Sequence, residues 1–366
     1  MMIMSILSMM PLYINFPSWL HPEVIPGIPF RWYGLMYIVA FGIAYKLTQR
    51  SAKERHFPLS EDDVTSCFFW SVLGLLLGAR IFSTIVYETS SVYRNHPWLV
   101  FWPFRNGHFT GLQGMSYHGG VIGCILGCTI WSIKHKVDVR EMFDLITVGI
   151  PLGYTFGRLG NFINGELYGR VTTVPWGMVF PNAELLDPKQ PWVAEIAEAS
   201  GIAIPEAVRG MQQLINLPRH PSQLYELVLE GLVVGTILYL IRNKKPFKGF
   251  ILAFYIGAYG FVRFFIEYFR EPDSDLGYRL QLIPNNLPLA YMHPLTSFST
   301  GQVFCFIMVV FSLLFMLLLS KLPGSKPVIF YNEDGSIPAD FAVSEGKTLA
   351  SSKNKQKKSR RKLKKI

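Results

Sequence analysis

Seven apolar stretches punctuate the chain, at about 33–49, 67–88, 117–133, 142–163, 224–241, 249–269 and 301–320. Each is long enough to be read as a membrane-crossing helix, which needs roughly 17–25 apolar residues. The second, sixth and seventh are the cleanest. The first, third and fourth are rich in glycine. The opening Met1–Leu12 is also apolar, but no basic residue precedes it. It lacks the charged start and small-residue cleavage site of a signal peptide, and is read as a retained segment at the membrane interface.

Lys and Arg orient the stretches. Lys46, Arg50, Lys53 and Arg55 lie between the first and second. Lys134, Lys136 and Arg140 lie between the third and fourth, and Arg242, Lys244, Lys245 and Lys248 between the fifth and sixth. The opposite short loops hold Arg94 and Arg105, then Arg270 and Arg279. The positive-inside rule then puts the N-terminus outside and the C-terminus in the cytoplasm. An odd number of crossings requires that split. The expected fold is all-α and polytopic: seven transmembrane helices over 1–323, a small outer head from about 170–223, and a disordered basic tail over 324–366.

Composition agrees. Half of the 366 residues are hydrophobic and 16% are charged, which excludes disorder and collagen. From Lys353 onward nine of fourteen residues are Lys or Arg, which leaves about +1 of the formal +10 for the rest of the chain. Such a block stays disordered and is attracted to an anionic leaflet. No aromatics interleave it, so nucleic acid is not an expected partner. Within the head, Pro205–Ile215 shows apolar residues at roughly helical spacing, which suggests a short amphipathic surface helix.

Glycines recur four apart: Gly74 and Gly78; Gly119, Gly123 and Gly127; Gly149, Gly153 and Gly157; Gly231 and Gly235. Small residues so spaced let membrane helices pack closely. Cys67, Cys124, Cys128 and Cys305 fall inside predicted helices without metal-ligand company and read as packing residues. No metal and no cofactor is expected.

Against this apolar background the polar residues stand out, because burying them costs several kcal/mol or more. The run Gly157–Arg170 reads GRLGNFINGELYGR. On a helix Arg158 and Asn161 share a face, as do Asn161 and Asn164. A guanidinium beside amides suits a phosphate oxygen. In the sixth stretch Arg263, Glu267 and Arg270 are spaced by four and three and form one stripe. Arg80 lies inside the second. His118, beside Gly119 and Gly120, is the only histidine of eight in or at the edge of a predicted helix. Several arginines near the outer leaflet suggest an anionic ligand with an apolar body. A lipid transporter would also bury arginines, but the seven stretches show no repeated halves. An enzyme with metal-bound carboxylates would need more clustered aspartates than Asp138 and Asp144.

The run at 157–170 resembles the signature of bacterial prolipoprotein diacylglyceryl transferases. Arg31–Tyr37, Gly114–Gly120, Arg219–Glu226, and Gly260–Arg263 through Arg270–Asp273 also resemble that family, in its order, over roughly residues 16–320. The resemblance implies transfer of a diacylglyceryl group from phosphatidylglycerol to the lipobox cysteine of a prelipoprotein, in the bacterial cytoplasmic membrane. Carried over position by position, it implies catalytic roles for Tyr33, His118, Arg158 and Arg263, with His118 as the base. It implies substrate-binding roles for Asn161, Glu166, Gly169, Glu267 and Arg270. Arg31 stands where many members have His, and Gly78-Ala79 where they have paired glycines. The 182–218 and 274–300 loops match poorly and inherit nothing.

Overall fold

The computed structural model describes residues 13–326, apart from 26, 28–30, 56, 58, 89–90, 106, 110–113, 207–212, 272–276, 284–287 and 292–294. The expectations for the N-terminal segment, the basic tail and the centre of the 205–215 helix lie outside these residues. The protein is mostly helical and divides into two compact units. Unit 1 draws on Met1–Ala44, Val148–Tyr239 and Leu252–Leu318; unit 2 draws on Tyr45–Thr147, Leu240–Ile251 and Leu319–Ile366.

Among the described residues the helices of nine residues or more are α1 Trp32–Glu54, α2 Glu61–Phe82, α3 Tyr117–Lys134, α4 Val139–Thr147, α5 Ile150–Ile163, α6 Pro191–Ser200, α7 Ser222–Ile241, α8 Phe250–Ile266 and α9 Thr300–Lys321. A π-helical turn, Ser83–Tyr87, extends α2, and another, Leu227–Val233, sits inside α7. Among the described residues, three helical runs are long and apolar enough to cross a membrane: Glu61–Tyr87, Ser222–Ile241 and Thr300–Lys321. The apolar α8 is shorter. The stretch expected to be one helix over 142–163 is two, broken at 148–149. Pro151 starts α5 because a first-turn proline gives up an N–H that has no helical partner anyway.

In unit 2, α2 and α3 meet along their glycines. A Cβ on Gly78 would come within 2.8 Å of the Gly123 Cα, and one on Gly123 within 3.0 Å of the Gly78 Cα. Only hydrogen fits there, so the backbones touch. Beside this seam Trp131 is fully buried and donates to the Ser66 hydroxyl at 3.0 Å. Cys67 and Cys128 lie in the same core with their sulfurs 3.9 Å apart. Ser60 and Asp63 cap α2 reciprocally, each side chain satisfying a backbone N–H of the other.

Unit 2 also holds a buried charge network. Arg55 pairs with Glu141 at 2.9 Å, and Lys245 reaches both Glu141 and, at 2.7 Å, Asp144. Asp144 further accepts from the Gly249 and Ile251 amides at 2.8 and 2.9 Å. Asp138 takes Arg140 and Lys248. Burial alone would raise the Asp138 carboxyl, but hydrogen bonds from Arg140 and Lys248 hold it well below its ordinary value.

Unit 1 repeats the glycine principle. A Cβ on Gly149 would come within 2.6 Å of the Ala44 Cα, and one on Gly235 within 2.7 Å of Leu152. These positions seat α5 between the middle of α1 and α7. Beyond the helices, β1 Ile14–Asn15 pairs in parallel with β4 Met178–Val179, and β5 Tyr278–Gln281 pairs antiparallel with β6 Ser297–Ser299. In unit 2, β2 Phe104–Arg105 and β3 His108–Phe109 form a hairpin. Within 170–223 lies α6, followed by Gly201 at φ +70°, a left-handed cap. It packs on Val171, Ile215 and Leu217. At the end of the 205–215 stretch, Ile215 exchanges backbone hydrogen bonds with Leu186.

Candidate functional site

The polar core of unit 1 is built from α5, α7 and α8, and its centre is Glu226 on α7. One carboxylate oxygen lies 2.6 Å from Arg158 Nε, and the other 2.6 Å from Arg263 Nη1. Arg263 also reaches Glu230 at 3.5 Å and Glu267 at 3.3 Å. Tyr154, one turn before Arg158, accepts from Arg158 Nε at 2.5 Å and donates to Glu230. The guanidinium of Arg158 also covers the Tyr154 ring, 4.7 Å from its centroid. Two arginines therefore face three carboxylates, all in apolar surroundings where each pairing is strong.

The stripe read from the sequence assigned Arg263 one carboxylate, Glu267, and the structure adds Glu226 and Glu230. Glu226 and Glu230 are spaced by four on α7 and so share a face. That spacing inside an apolar run was the available signal. The stripe on α8 is also shorter than expected. It holds for Arg263 and Glu267, but α8 ends at Ile266 and Arg270 leaves the helix to pair its backbone with Gly169. Glu267 is held from its other side by the Ser299 hydroxyl at 3.1 Å.

Arg158 and Arg263 are not equivalent. Arg263 spends both terminal nitrogens on carboxylates. Arg158 Nη1 reaches only Asn161 Oδ1, at 3.4 Å, and its Nη2 has no partner among the described residues. Arg158 is thus the cation with capacity left for a ligand. Asn161 passes the network on, donating to Glu166 at 2.8 Å, where Asn164 also donates at 3.3 Å. Glu166 is exposed, in a loop with two left-handed residues, Gly165 at φ +65° and Leu167 at φ +56°. A non-glycine residue in that region is costly and marks a constrained loop. The Gln223 amide anchors it by donating to the Glu166 carbonyl at 2.6 Å.

Tyr33 belongs to the same unit. Its ring lies where a Cβ on Gly160 would come within 3.0 Å, and its hydroxyl is 3.0 Å from that of Tyr37. Gly169 has a packing reason to be glycine. A Cβ there would meet the His220 Cβ at 2.8 Å, and its amide donates to the His220 carbonyl at 2.8 Å. Buried Arg170 donates to the Tyr278 hydroxyl at 3.0 Å and to the carbonyls of Leu289 and Tyr291. Arg219 pairs with Glu271 and lies over the Tyr168 ring. Burial raises the Glu271 carboxyl above its ordinary value, against the pull of Arg219. Burial, and then the charge of Arg170, bring His220 down to about 4.

His118 lies in unit 2, in the first turn of α3, which Ser116 caps by accepting from the Gly119 amide at 3.2 Å. His118 is exposed, and its Nδ1 is 2.9 Å from the Tyr87 hydroxyl. Arg80, in the same unit, is buried and donates to the Val100 carbonyl, the Gly114 carbonyl at 3.2 Å and the Tyr93 hydroxyl at 3.2 Å. It ties the segment between α2 and α3 to α2. Among the described residues no group of three or more His, Cys, Asp or Glu is placed to hold a metal ion.

A family model described as prolipoprotein diacylglyceryl transferase matches residues 23–318. A Treponema denticola protein is 50% identical over 327 residues, covering 85% of this chain and 95% of its own length. A Treponema pallidum protein is 46% identical over 82% of this chain and 93% of its own. One from Borrelia garinii is 42% identical over 87% and 97%. Each bears the name phosphatidylglycerol–prolipoprotein diacylglyceryl transferase.

Proposed function

Because the chain belongs to the prolipoprotein diacylglyceryl transferase family, we propose that it transfers the diacylglyceryl group of phosphatidylglycerol to the lipobox cysteine of prelipoproteins. A C–S bond forms at the glycerol carbon, the C–O bond to phosphate breaks, and glycerol phosphate leaves. The thiolate is the nucleophile, and a free cysteine is mostly protonated at neutral pH. His118 takes the thiol proton, and its exposure suits that role. The departing phosphate gains charge, which Arg158 meets with its unspent nitrogen. A donor fixed in a dry pocket stabilises such charge without reorganising.

The observation that carries this reading is the pair of guanidiniums held on the two oxygens of Glu226. Glu226 fixes their spacing, Glu230 and Glu267 fix the fork of Arg263, and Tyr154 fixes the plane of Arg158. In this scheme Asn161 and Glu166 orient the headgroup, Tyr33 and Arg270 complete the site, and Gly169 keeps its loop packed. The chain crosses the bacterial cytoplasmic membrane seven times, with the head outside and the C-terminus in the cytoplasm. The distribution of Lys and Arg supports that orientation.

The test is purified protein with phosphatidylglycerol vesicles and a lipobox peptide, followed by mass spectrometry. The expected product is a peptide heavier by one diacylglyceryl group, absent when the peptide cysteine is serine. Movement of lipid between leaflets without peptide modification would overturn the assignment.

A further inference from the structure

Tyr87 has no part in the scheme above, yet it hydrogen-bonds the His118 ring. Its hydroxyl lies 2.9 Å from Nδ1. Its placement is built in. The last turn of α2 is π-helical, closed by the Glu88 amide on the Ser83 carbonyl at 3.1 Å. One extra residue in a turn rotates everything after it by about 100°, which is how such turns re-aim a side chain. The Thr84 hydroxyl back-bonds to the carbonyls of Arg80 and Ile81, both at 3.0 Å, bracing the turn. The Phe82 ring meets Tyr87 edge-on, centroids 5.7 Å apart. Gly119 lets Phe82 press against α3, since a Cβ there would collide with it.

The two imidazole nitrogens cannot play the same part. Tyr87 occupies Nδ1, so Nε2 is the nitrogen open to a substrate. If Tyr87 donated to Nδ1, Nε2 would carry the hydrogen and could not accept one. We propose that Tyr87 is a positioning residue for His118: it accepts a hydrogen bond from Nδ1–H, fixing the tautomer whose bare Nε2 faces the substrate thiol. The hydroxyl's own hydrogen is then directed to the cavity of about 240 Å³ that Tyr87 lines together with Ser83, Glu88 and Tyr93. That cavity is polar and large enough for water. The rate consequence rests on His118 acting as the base; the tautomer does not.

The experiment uses full-length protein in detergent with ¹⁵N-labelled histidine. The His118 signals are assigned by their loss in His118→Gln. The expected wild-type spectrum shows a protonated Nδ1 and a bare Nε2, and Tyr87→Phe loses that preference. Tyr87→Phe should lower kcat about tenfold, part of the 10²–10⁴ a positioned base supplies, with KM for lipid and peptide unchanged. Tyr87→Gln, which restores an acceptor, should recover part of the rate. Tyr87→Phe should add nothing to His118→Gln. A protonated Nε2 in the wild type, or a Tyr87→Phe spectrum identical to it, would overturn the proposal. Full activity of His118→Gln would remove the base assignment instead, leaving the spectra to decide on Tyr87 alone.

Discussion

Replacing Arg263 separates charge from geometry. Its guanidinium meets Glu226 at 2.6 Å, Glu267 at 3.3 Å and Glu230 at 3.5 Å. Arg263→Ala would leave Arg158 alone against three carboxylates in an apolar core. Removing one partner of a buried pair costs about 3–5 kcal/mol, a large share of the 5–15 kcal/mol typical of whole domains. The alanine variant should therefore accumulate poorly. Arg263→Lys keeps one charge but loses the planar fork that spans Nη1 and Nη2. It should accumulate normally and transfer on the order of 100-fold more slowly, because without that fork Glu226, and through it Arg158, lose their fixed positions. Adding Glu230→Gln to Arg263→Ala removes one uncompensated carboxylate and should restore abundance without restoring transfer. The assay pairs immunoblots of membranes with transfer rates on a lipobox peptide at matched enzyme concentration. An alanine variant of normal abundance and near-normal rate would refute both the charge accounting and the role in the site.

Arg158→Ala should cost less stability, because Nη2 has no partner among the described residues, yet slow transfer by about 100-fold or more; equal abundance with an unchanged rate would contradict this. Gly123→Ala should force α2 and α3 apart and cost about 1–3 kcal/mol, read as a lowered Tm in detergent; an unchanged Tm would show that the seam can relax. His220 is held at about 4 against an ordinary 6.5. Between those values the unfolded chain binds the extra proton, so stability should fall as pH drops through that window, by about 3 kcal/mol in full. His220→Gln should flatten that slope, and a slope that persists would place its origin elsewhere. Truncation of residues 353–366 should leave turnover in detergent unchanged; lost turnover by a normally inserted truncation would give the tail a catalytic part.

Positions of the helices were legible because long apolar runs have few alternatives in a sequence this hydrophobic. Their interruptions were not. Gly149 and Pro151 mark the break between α4 and α5, yet both also occur inside unbroken membrane helices. The non-helical part of unit 1 was opaque for another reason. It is held by two-residue strand pairs between distant segments, such as Ile14 with Met178, which leave no periodic trace. The arginines were visible because cations are rare in apolar runs. Their carboxylate partners were partly masked: Glu226 was read only as the end of the run Arg219–Glu226, and Glu230 passed unnoticed within α7. Tyr87 was hidden by the π-helical turn, since no residue pattern in Ser83–Tyr87 distinguishes it from ordinary helix. Arg270 left its expected stripe because α8 stops at Ile266, six residues before Pro272.

The burial of the cysteines has a consequence for selectivity. A catalyst that alkylates thiols carries four of its own and must not consume itself. Cys67, Cys128 and Cys305 are buried, and Cys124 is partly covered. Cys67 and Cys128 turn their sulfurs toward each other, 3.9 Å apart, within a packed core. A buried thiol is a poor nucleophile because the thiolate is not solvated there. Immunity to self-alkylation thus follows from packing. A bulky, membrane-impermeant maleimide should therefore block a lipobox peptide while leaving the enzyme active, so that enzyme treated and then freed of reagent still modifies fresh substrate.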